Sequence, residues 1–437
     1  MVRKLLTTGL LLFLFMVNAA HAALTIQITE GVEGALPIAV VPFAIEGSVV
    51  APDHDLAEII RNDLARSGRF APMPVKDLIA RPHQGSEVRF ADWRLVGQDN
   101  LVIGRLRARA DGRLEVLFQL FDVIKGQQLA GYSIPFVRDD VRRIAHRISD
   151  IIYEKLTGQK GAFTTRIAYI TTARSADGKQ SYRLNIADAD AYNEQTILTS
   201  KQPLMSPSWS PDGQKLAYVS YEKGKPQIFI QEVFTGKREA MTDYTGLNNA
   251  PAWSPDGRAL AMTLSHTGNP EIHVLDLATR RLVQVTRHVA IDTEPAWAPD
   301  GKSLVFTSDR GGKPQLYRVA MDGSRPAGDK RRLSWEGDYN SRATFSPDGR
   351  HVAMVHGSQG NFRIAVLDLE TGHLRVLTTS RLDESPSFAP NGSMVMYATE
   401  HAGRGILAAV SVDGRVHQRL EVKHGEVREP AWSPFEE

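Results

Sequence analysis

The chain has 437 residues, a formal net charge of +2 and no cysteine. That length exceeds one ordinary core and predicts two or more domains. The charge balance gives no basic surplus for nucleic acid or an anionic membrane, and the missing cysteine excludes disulfides, cysteine zinc sites and cysteine nucleophiles.

Residues 1–22 read as a secretory signal peptide. Arg3 and Lys4 form its charged start, Leu10 to Val17 its apolar run, and Ala20-His21-Ala22 a cleavage site. The apolar run is well short of the roughly 20 residues that a spanning helix needs. Removing Arg3 and Lys4 takes the net charge from +2 to 0, and the exported chain starts at Ala23.

Residues 23–36 form a leader with β character in Leu24-Thr25-Ile26-Gln27-Ile28 and no hairpin partner nearby. Two readings stand side by side: a strand that docks on its own domain, or an exposed peptide that adds to a partner. Residues 37–157 read as an α/β domain. Ile38 to Val41 and Leu101 to Gly104 are buried strands, and Leu114–Val123 with Gln128–Ile134 makes a hairpin around Lys125-Gly126. Leu56, Ile59, Ile60 and Leu64 share one helical face, capped by Asp53 or Asp55 and stopped by Gly68. Val141, Ile144, Ile148, Ile151, Ile152 and Leu156 form a second helical face ended by Gly158. Residues 158–165 are a linker.

From 166 to 437 one stretch recurs: PSWSPDG, PAWSPDG, PAWAPDG, ATFSPDG, PSFAPNG and PAWSPFE. Its aromatics are Trp209, Trp253, Trp297, Phe345, Phe388 and Trp432, spaced 44, 44, 48, 43 and 44 apart. A period near 44 with strand–turn–strand texture predicts a β-propeller with one four-stranded blade per repeat. Pro-Asp-Gly suits the turn, because proline sets φ, aspartate bonds its own backbone and glycine takes the left-handed position. One aromatic per blade in one register predicts inter-blade core rather than a stacking platform. The first blade, starting at Arg166, lacks an aromatic strand, and Trp432 has no blade after it. Residues 430–434 then supply the innermost strand of blade one, closing six blades and removing open sheet edges.

Strand alternation places the blade-to-blade loops on one face, opposite the Pro-Asp-Gly turns. The loops at Gly246–Ala250, Ile291–Glu294, Asp338–Arg342 and Leu382–Ser385 vary, and varied loops on a rigid scaffold are where recognition concentrates. No G-x-S-x-G elbow, H-E-x-x-H or phosphate-binding glycine loop occurs. The 13 histidines share no position in the repeat, and no metal or cofactor is expected. Propeller-bearing serine peptidases need a further α/β-hydrolase domain, for which the five residues after Trp432 leave no room.

Taken together, the chain resembles the TolB family, the periplasmic propeller proteins of the Tol–Pal system. The specific stretches are Phe306–Gln315, Leu333–Gly337, Leu382–Ser387 and Pro430–Pro434, with the order of signal peptide, leader, α/β domain and six blades. At Leu247 the chain departs from relatives that carry histidine. The resemblance implies a non-enzymatic adaptor in outer-membrane integrity and in invagination at cell division. It implies that the blade-to-blade face binds the outer-membrane lipoprotein Pal. Ala250 and Thr293 match that site, with Asn248, Asn249 and Glu294 beside them, and Asp292, Asn340, Ser341, Arg342, Asp383 and Glu384 extend it along the neighbouring loops. It also implies that the leader, at Ala23, Leu24, Thr25, Ile26, Gln27, Ile28, Thr29 and Glu30, engages the C-terminal domain of TolA and, through it, the TolQ–TolR inner-membrane complex. A periplasmic hydrolase or a glycan-binding propeller is the alternative. A sugar site needs exposed aromatics, for which Tyr244, Trp335 and Tyr339 are the candidates.

Overall fold

A computed structural model describes residues 25–30, 34–47, 50–174, 178–421 and 425–436. The expected signal peptide, Ala23, Leu24 and Gly31 lie outside these residues. Strand β1 (Thr25–Glu30) is the leader. The α/β domain follows with β2 (Leu36–Val40), β3 (Ala44–Ile45), α1 (Leu56–Arg66), β4 (Phe70–Pro72), α2 (Phe90–Leu95), β5 (Asn100–Ala108), β6 (Leu114–Asp122), β7 (Gln127–Phe136) and α3 (Val141–Thr157).

The sheet runs β4-β2-β5-β6-β7, and β3 also pairs with β5. β2 is parallel to β4 and β5, whereas β5, β6 and β7 form an antiparallel meander. Leu56, Ile60 and Leu64 of α1 and Ile144, Ile148 and Ile152 of α3 bury against Val116, Phe118 and Leu120 on one face. Trp93 of α2 fills the other face with Leu101, Ile103 and Phe121. Asp55 is the cap of α1, accepting from the Ala57 N–H at 2.9 Å. The α2 helix and β4 are too short to leave a periodic signal.

Six further sheets are the blades. Blade one joins Arg166–Arg174, Gln180–Asp188 and Gln195–Ser200 to the C-terminal Glu426–Trp432, with Val427 opposite Thr171 and Trp432 opposite Ile167. The closing strand therefore begins four residues before the Pro430 expected from the repeat. The 48-residue spacing is absorbed in blade four by an extra hairpin arm, Arg325–Pro326, before Arg331–Arg332. The repeat aromatics lie between blades: Trp209 Nε1 donates to the Ala431 carbonyl at 3.0 Å and Trp253 Nε1 to that of Ser208 at 3.1 Å.

The leader docks, and it docks on the propeller. β1 pairs antiparallel with the outermost strand of blade six, His417–Glu421, with Thr25 opposite Glu421 and Ile28 opposite Gln418. Blade six thus has five strands, the leader at its outer edge and Asp383–Phe388 at its inner edge.

Candidate partner-binding face

The innermost strand of every blade breaks its pairing register between its third and sixth residues or just beside them, forming a bulge. At each bulge one residue has a left-handed backbone: Ser206, Ala250, Glu294, Arg342, Ser385 and Glu429, with φ between 49 and 57°. Five of the six precede proline, which disfavours the right-handed helical conformation, and Arg342 precedes Ala343. Non-glycine residues in this region cost about 1–3 kcal/mol each and persist where surrounding contacts hold them. All six line a central channel of about 420 Å³.

One cation spans this ring. Arg342 Nε meets Glu294 Oε1 at 3.1 Å, its Nη1 donates to Ser385 Oγ, and its Nη2 stands 3.9 Å from Glu429 Oε1. Glu294 also accepts from Thr307 Oγ1 and from the Arg342 N–H, both at 3.0 Å. Burial works against the Arg342 charge, yet Glu429, Glu294 and Glu384 hold the guanidinium above its ordinary range. Contacts between blades four, five, six and one thereby fix the mouth. Among the described residues no histidine lines the channel.

The expected face residues fall into two groups. Asn249, Ala250, Glu294 and Arg342 are partly exposed and line the channel, whereas Thr293 and Glu384 are partly exposed beside it, with Thr293 Oγ1 3.2 Å from Thr263 Oγ1. Asn248, Asp292, Asn340 and Asp383 are fully buried and Ser341 nearly so. These five are corrected from contact residues to interior ones, and the four fully buried ones are supports. Asn248 Nδ2 donates to the Tyr244 carbonyl at 2.9 Å, and Asn340 Nδ2 to that of Glu336 at 2.7 Å. Asp292 accepts from Arg310 Nη2 at 2.6 Å, and Asp383 from the Thr378 and Ser380 hydroxyls. Each stands five residues before its repeat aromatic, where blades two and one carry the buried Leu204 and Val427. The position is interior in every blade; Asn248, Asn340 and Asp383 pin the loop that precedes them, and Asp292 holds Arg310 of the loop after Ser303–Ser308.

Ser206, Ser385 and Glu429 belong to the channel and were missed. Their signal was position, as the residue directly before the motif in each copy. The face also exposes apolar side chains on four successive blade-to-blade loops: Leu247 (41%), Val289 (94%) and Ile291 (48%), Trp335 (71%) and Leu382 (50%). Of the three candidate sugar-stacking aromatics, only Trp335 is exposed, under the Arg332 guanidinium at 4.5 Å. Tyr244 stacks on His266, and Tyr339 packs edge-on to Phe362.

Comparison with known proteins agrees with this architecture. Residues 153–436 match the family described as the TolB beta propeller domain, and residues 24–129 the TolB amino-terminal domain. The chain is 56% identical over 428 residues to the Tol-Pal system protein TolB of Nitrosococcus oceani, covering 98% of this chain and 97% of that one. It is 55% identical over 433 residues to the protein of the same name from Thioalkalivibrio sulfidiphilus, covering 99% and 98%. The crystal structure of TolB from Acinetobacter baumannii superposes with a TM-score of 0.87 at 42% identity, covering 94% of this chain and 100% of that one. The chain is therefore a member of the TolB family of Tol–Pal system proteins, built as an α/β domain followed by a six-bladed β-propeller.

Proposed function

We propose that this chain is a periplasmic, non-enzymatic adaptor that binds Pal on the blade-to-blade face and TolA through the leader, in outer-membrane integrity and invagination at division. The observation that carries the Pal half is the set of exposed apolar residues Leu247, Val289, Ile291, Trp335 and Leu382 beside a rigid polar mouth. Exposed apolar groups with a polar, pre-formed centre suit a protein partner better than a small polar ligand. Ala250 and Thr293, both partly exposed, lie on the innermost strands at that mouth.

The leader half rests on backbone chemistry. β1 is already held as an added strand on blade six, so the same backbone groups suit strand addition to another protein. Leaving blade six exposes the edge of His417–Glu421, so the two engagements compete for one strand. The hydrolase alternative finds no support in a channel lined by proline, tryptophan, small polar groups and an arginine–glutamate network.

Calorimetry of residues 23–437 against the soluble domain of the cognate Pal tests the reading, beside Thr293→Arg. Binding at about micromolar Kd or tighter, weakened at least about tenfold by the variant (about 1.4 kcal/mol), is the expected result. No binding by the intact protein overturns the Pal assignment. Binding that the variant leaves unchanged moves the site away from Thr293.

A further inference from the structure

At the seam between the two domains lies a buried charge cluster that no partner face uses. His146 on α3 is 2% exposed, and Asp63 on α1 is 1% exposed. His146 Nδ1 stands 2.7 Å from Asp63 Oδ2, and its Nε2 stands 3.5 Å from Asp190 Oδ2. Asp190 belongs to the other domain, in the turn after Gln180–Asp188 of blade one. Both ring nitrogens therefore face carboxylates, Asp63 within the α/β domain and Asp190 across the domain boundary. A neutral imidazole has only one N–H. In that form one ring nitrogen would turn a lone pair towards a carboxylate, whereas the imidazolium hydrogen-bonds Asp63 through Nδ1 and sets its charge 3.5 Å from Asp190, where Nε2 makes no hydrogen bond.

We propose that protonated His146 is a clasp between the α/β domain and blade one, so that domain docking loosens when His146 loses its proton. The surrounding charges are consistent with this form. From α1, Arg66 Nε donates to Asp63 Oδ1 at 3.1 Å, and its Nη1 reaches the Ala189 carbonyl of blade one at 3.0 Å. From α3, Arg142 pairs with Asp190 and lies 3.8 Å over the Tyr192 ring. From blade one, Asp188 also faces His146. Asp150, one turn further along α3, is engaged by Phe163 and Thr164. Asp63 pairs with Arg66 and Asp190 with Arg142, and Asp188, whose pKa burial pushes up, is a further carboxylate facing the imidazolium. Arg66 and Arg142 already sit on Asp63 and Asp190, so a divalent ion would have to compete with two guanidiniums for those oxygens.

Burial opposes the imidazolium, but Asp63 and Asp190 outweigh it and hold the His146 pKa above its usual value. The sign then follows: a raised folded-state pKa gives a contribution fully present below about pH 6.5 and lost as pH rises through the folded value. The clasp is also close to the leader. The Arg66 carbonyl accepts from Gln418 Nε2, and Gln418 pairs with Ile28 of β1.

Because the chain has no cysteine, one pair of labels reads the seam directly. Spin labels at Leu95→Cys on α2 and Lys237→Cys on blade two report the inter-domain distance by double electron–electron resonance, titrated from about pH 5 to beyond about pH 8. The expected result is a narrow distribution at the acid end that broadens with a midpoint above about pH 6.5. Asp190→Asn should lower the midpoint, and His146→Gln should abolish the transition. If His146→Gln fails to fold, Asp190→Asn carries the test alone. A distribution unchanged across the titration overturns the proposal. So does a transition retained in His146→Gln, or a midpoint unmoved in Asp190→Asn. Stoichiometric Zn2+ that restores the narrow distribution at the alkaline end also overturns it, by making the cluster a metal site.

Discussion

Replacing Arg342 by methionine removes the cation that joins Glu294 and Glu429 across the channel while keeping most of its aliphatic volume. At an effective dielectric of about 20, a unit-charge contact near 4 Å is worth about 4 kcal/mol. Arg342 makes one such contact at 3.1 Å and another at 3.9 Å. Its side chain is 30% exposed to the channel, so solvent screening reduces the sum, and removing its own desolvation recovers part of the rest. The expected net loss is about 2–3 kcal/mol, below the 3–5 typical of a fully buried pair broken on one side. Trp209, Trp253, Trp297 and Trp432 all border the channel, so tryptophan fluorescence in denaturant follows the propeller. Glu294→Gln in the same background should restore about 1–2 kcal/mol, because the uncompensated carboxylate is then gone. A shift below about 0.5 kcal/mol for Arg342→Met, with no coupling to Glu294→Gln, refutes the view that this ion network holds the left-handed ring.

Further outcomes follow from the repeat and the seam. Ser254 Oγ donates to Asp256 Oδ1 at 2.6 Å and accepts from the buried Ala259 N–H at 2.9 Å. Ser254→Ala should therefore cost about 1–3 kcal/mol in chemical unfolding. Blade four carries Ala298 at the same place, and Ala298→Ser should gain about 1 kcal/mol there by the same assay. Gly68 has φ +66°, and a Cβ there would stand 2.1 Å from Val416 Cγ2 of blade six. Gly68→Ala should therefore disturb docking by about 2–4 kcal/mol. Faster proteolysis within residues 158–165 than in the parent chain is the readout.

The repeat was legible because its physics recurs. Each blade must place an aromatic at the same point, and five of the six copies then turn with Pro-Asp or Pro-Asn and glycine into a new apolar strand, so the period survives changes in individual residues. Closure by the C-terminal strand followed from counting strands against aromatics. The face was less legible. Varied loops signalled recognition, but variation alone does not separate Asp292, which is buried on Arg310, from its neighbour Thr293, which is partly exposed. The distinction was available only in register, since Leu204 and Val427 show what the position five before the aromatic demands. The left-handed ring left less trace still, because nothing local to Glu294 or Arg342 requires a positive φ; the bulge in the assembled blade imposes it. The leader's partner strand lies almost the whole chain away, beyond the reach of any local pattern.

That pairing bears on how the two proposed partner sites communicate. Blade six is one continuous sheet from Asp383–Phe388, which carries Ser385 at the channel, to β1 at its outer edge. Four strand-to-strand steps of about 4.8 Å span the two, a path of about 19 Å. At the inner end Ser385 Oγ accepts from Arg342, so a partner that draws Arg342 away acts on this sheet first. At the outer end β1 is held along His417–Glu421, and Gln418 of that strand also holds the Arg66 carbonyl at the domain seam. A rigid sheet carries a shift but has no second state of its own, so the bistable element must be the leader, docked or released. Coupling then requires that a partner at the mouth bind the docked and released forms with different affinity, and by reciprocity that releasing the leader change affinity at the mouth by the same factor. Deleting residues 23–30 should therefore alter Pal affinity although the described part of that segment, Thr25–Glu30, does not line the channel. An affinity equal to that of the intact chain would leave the sheet as a scaffold that merely hosts two independent sites.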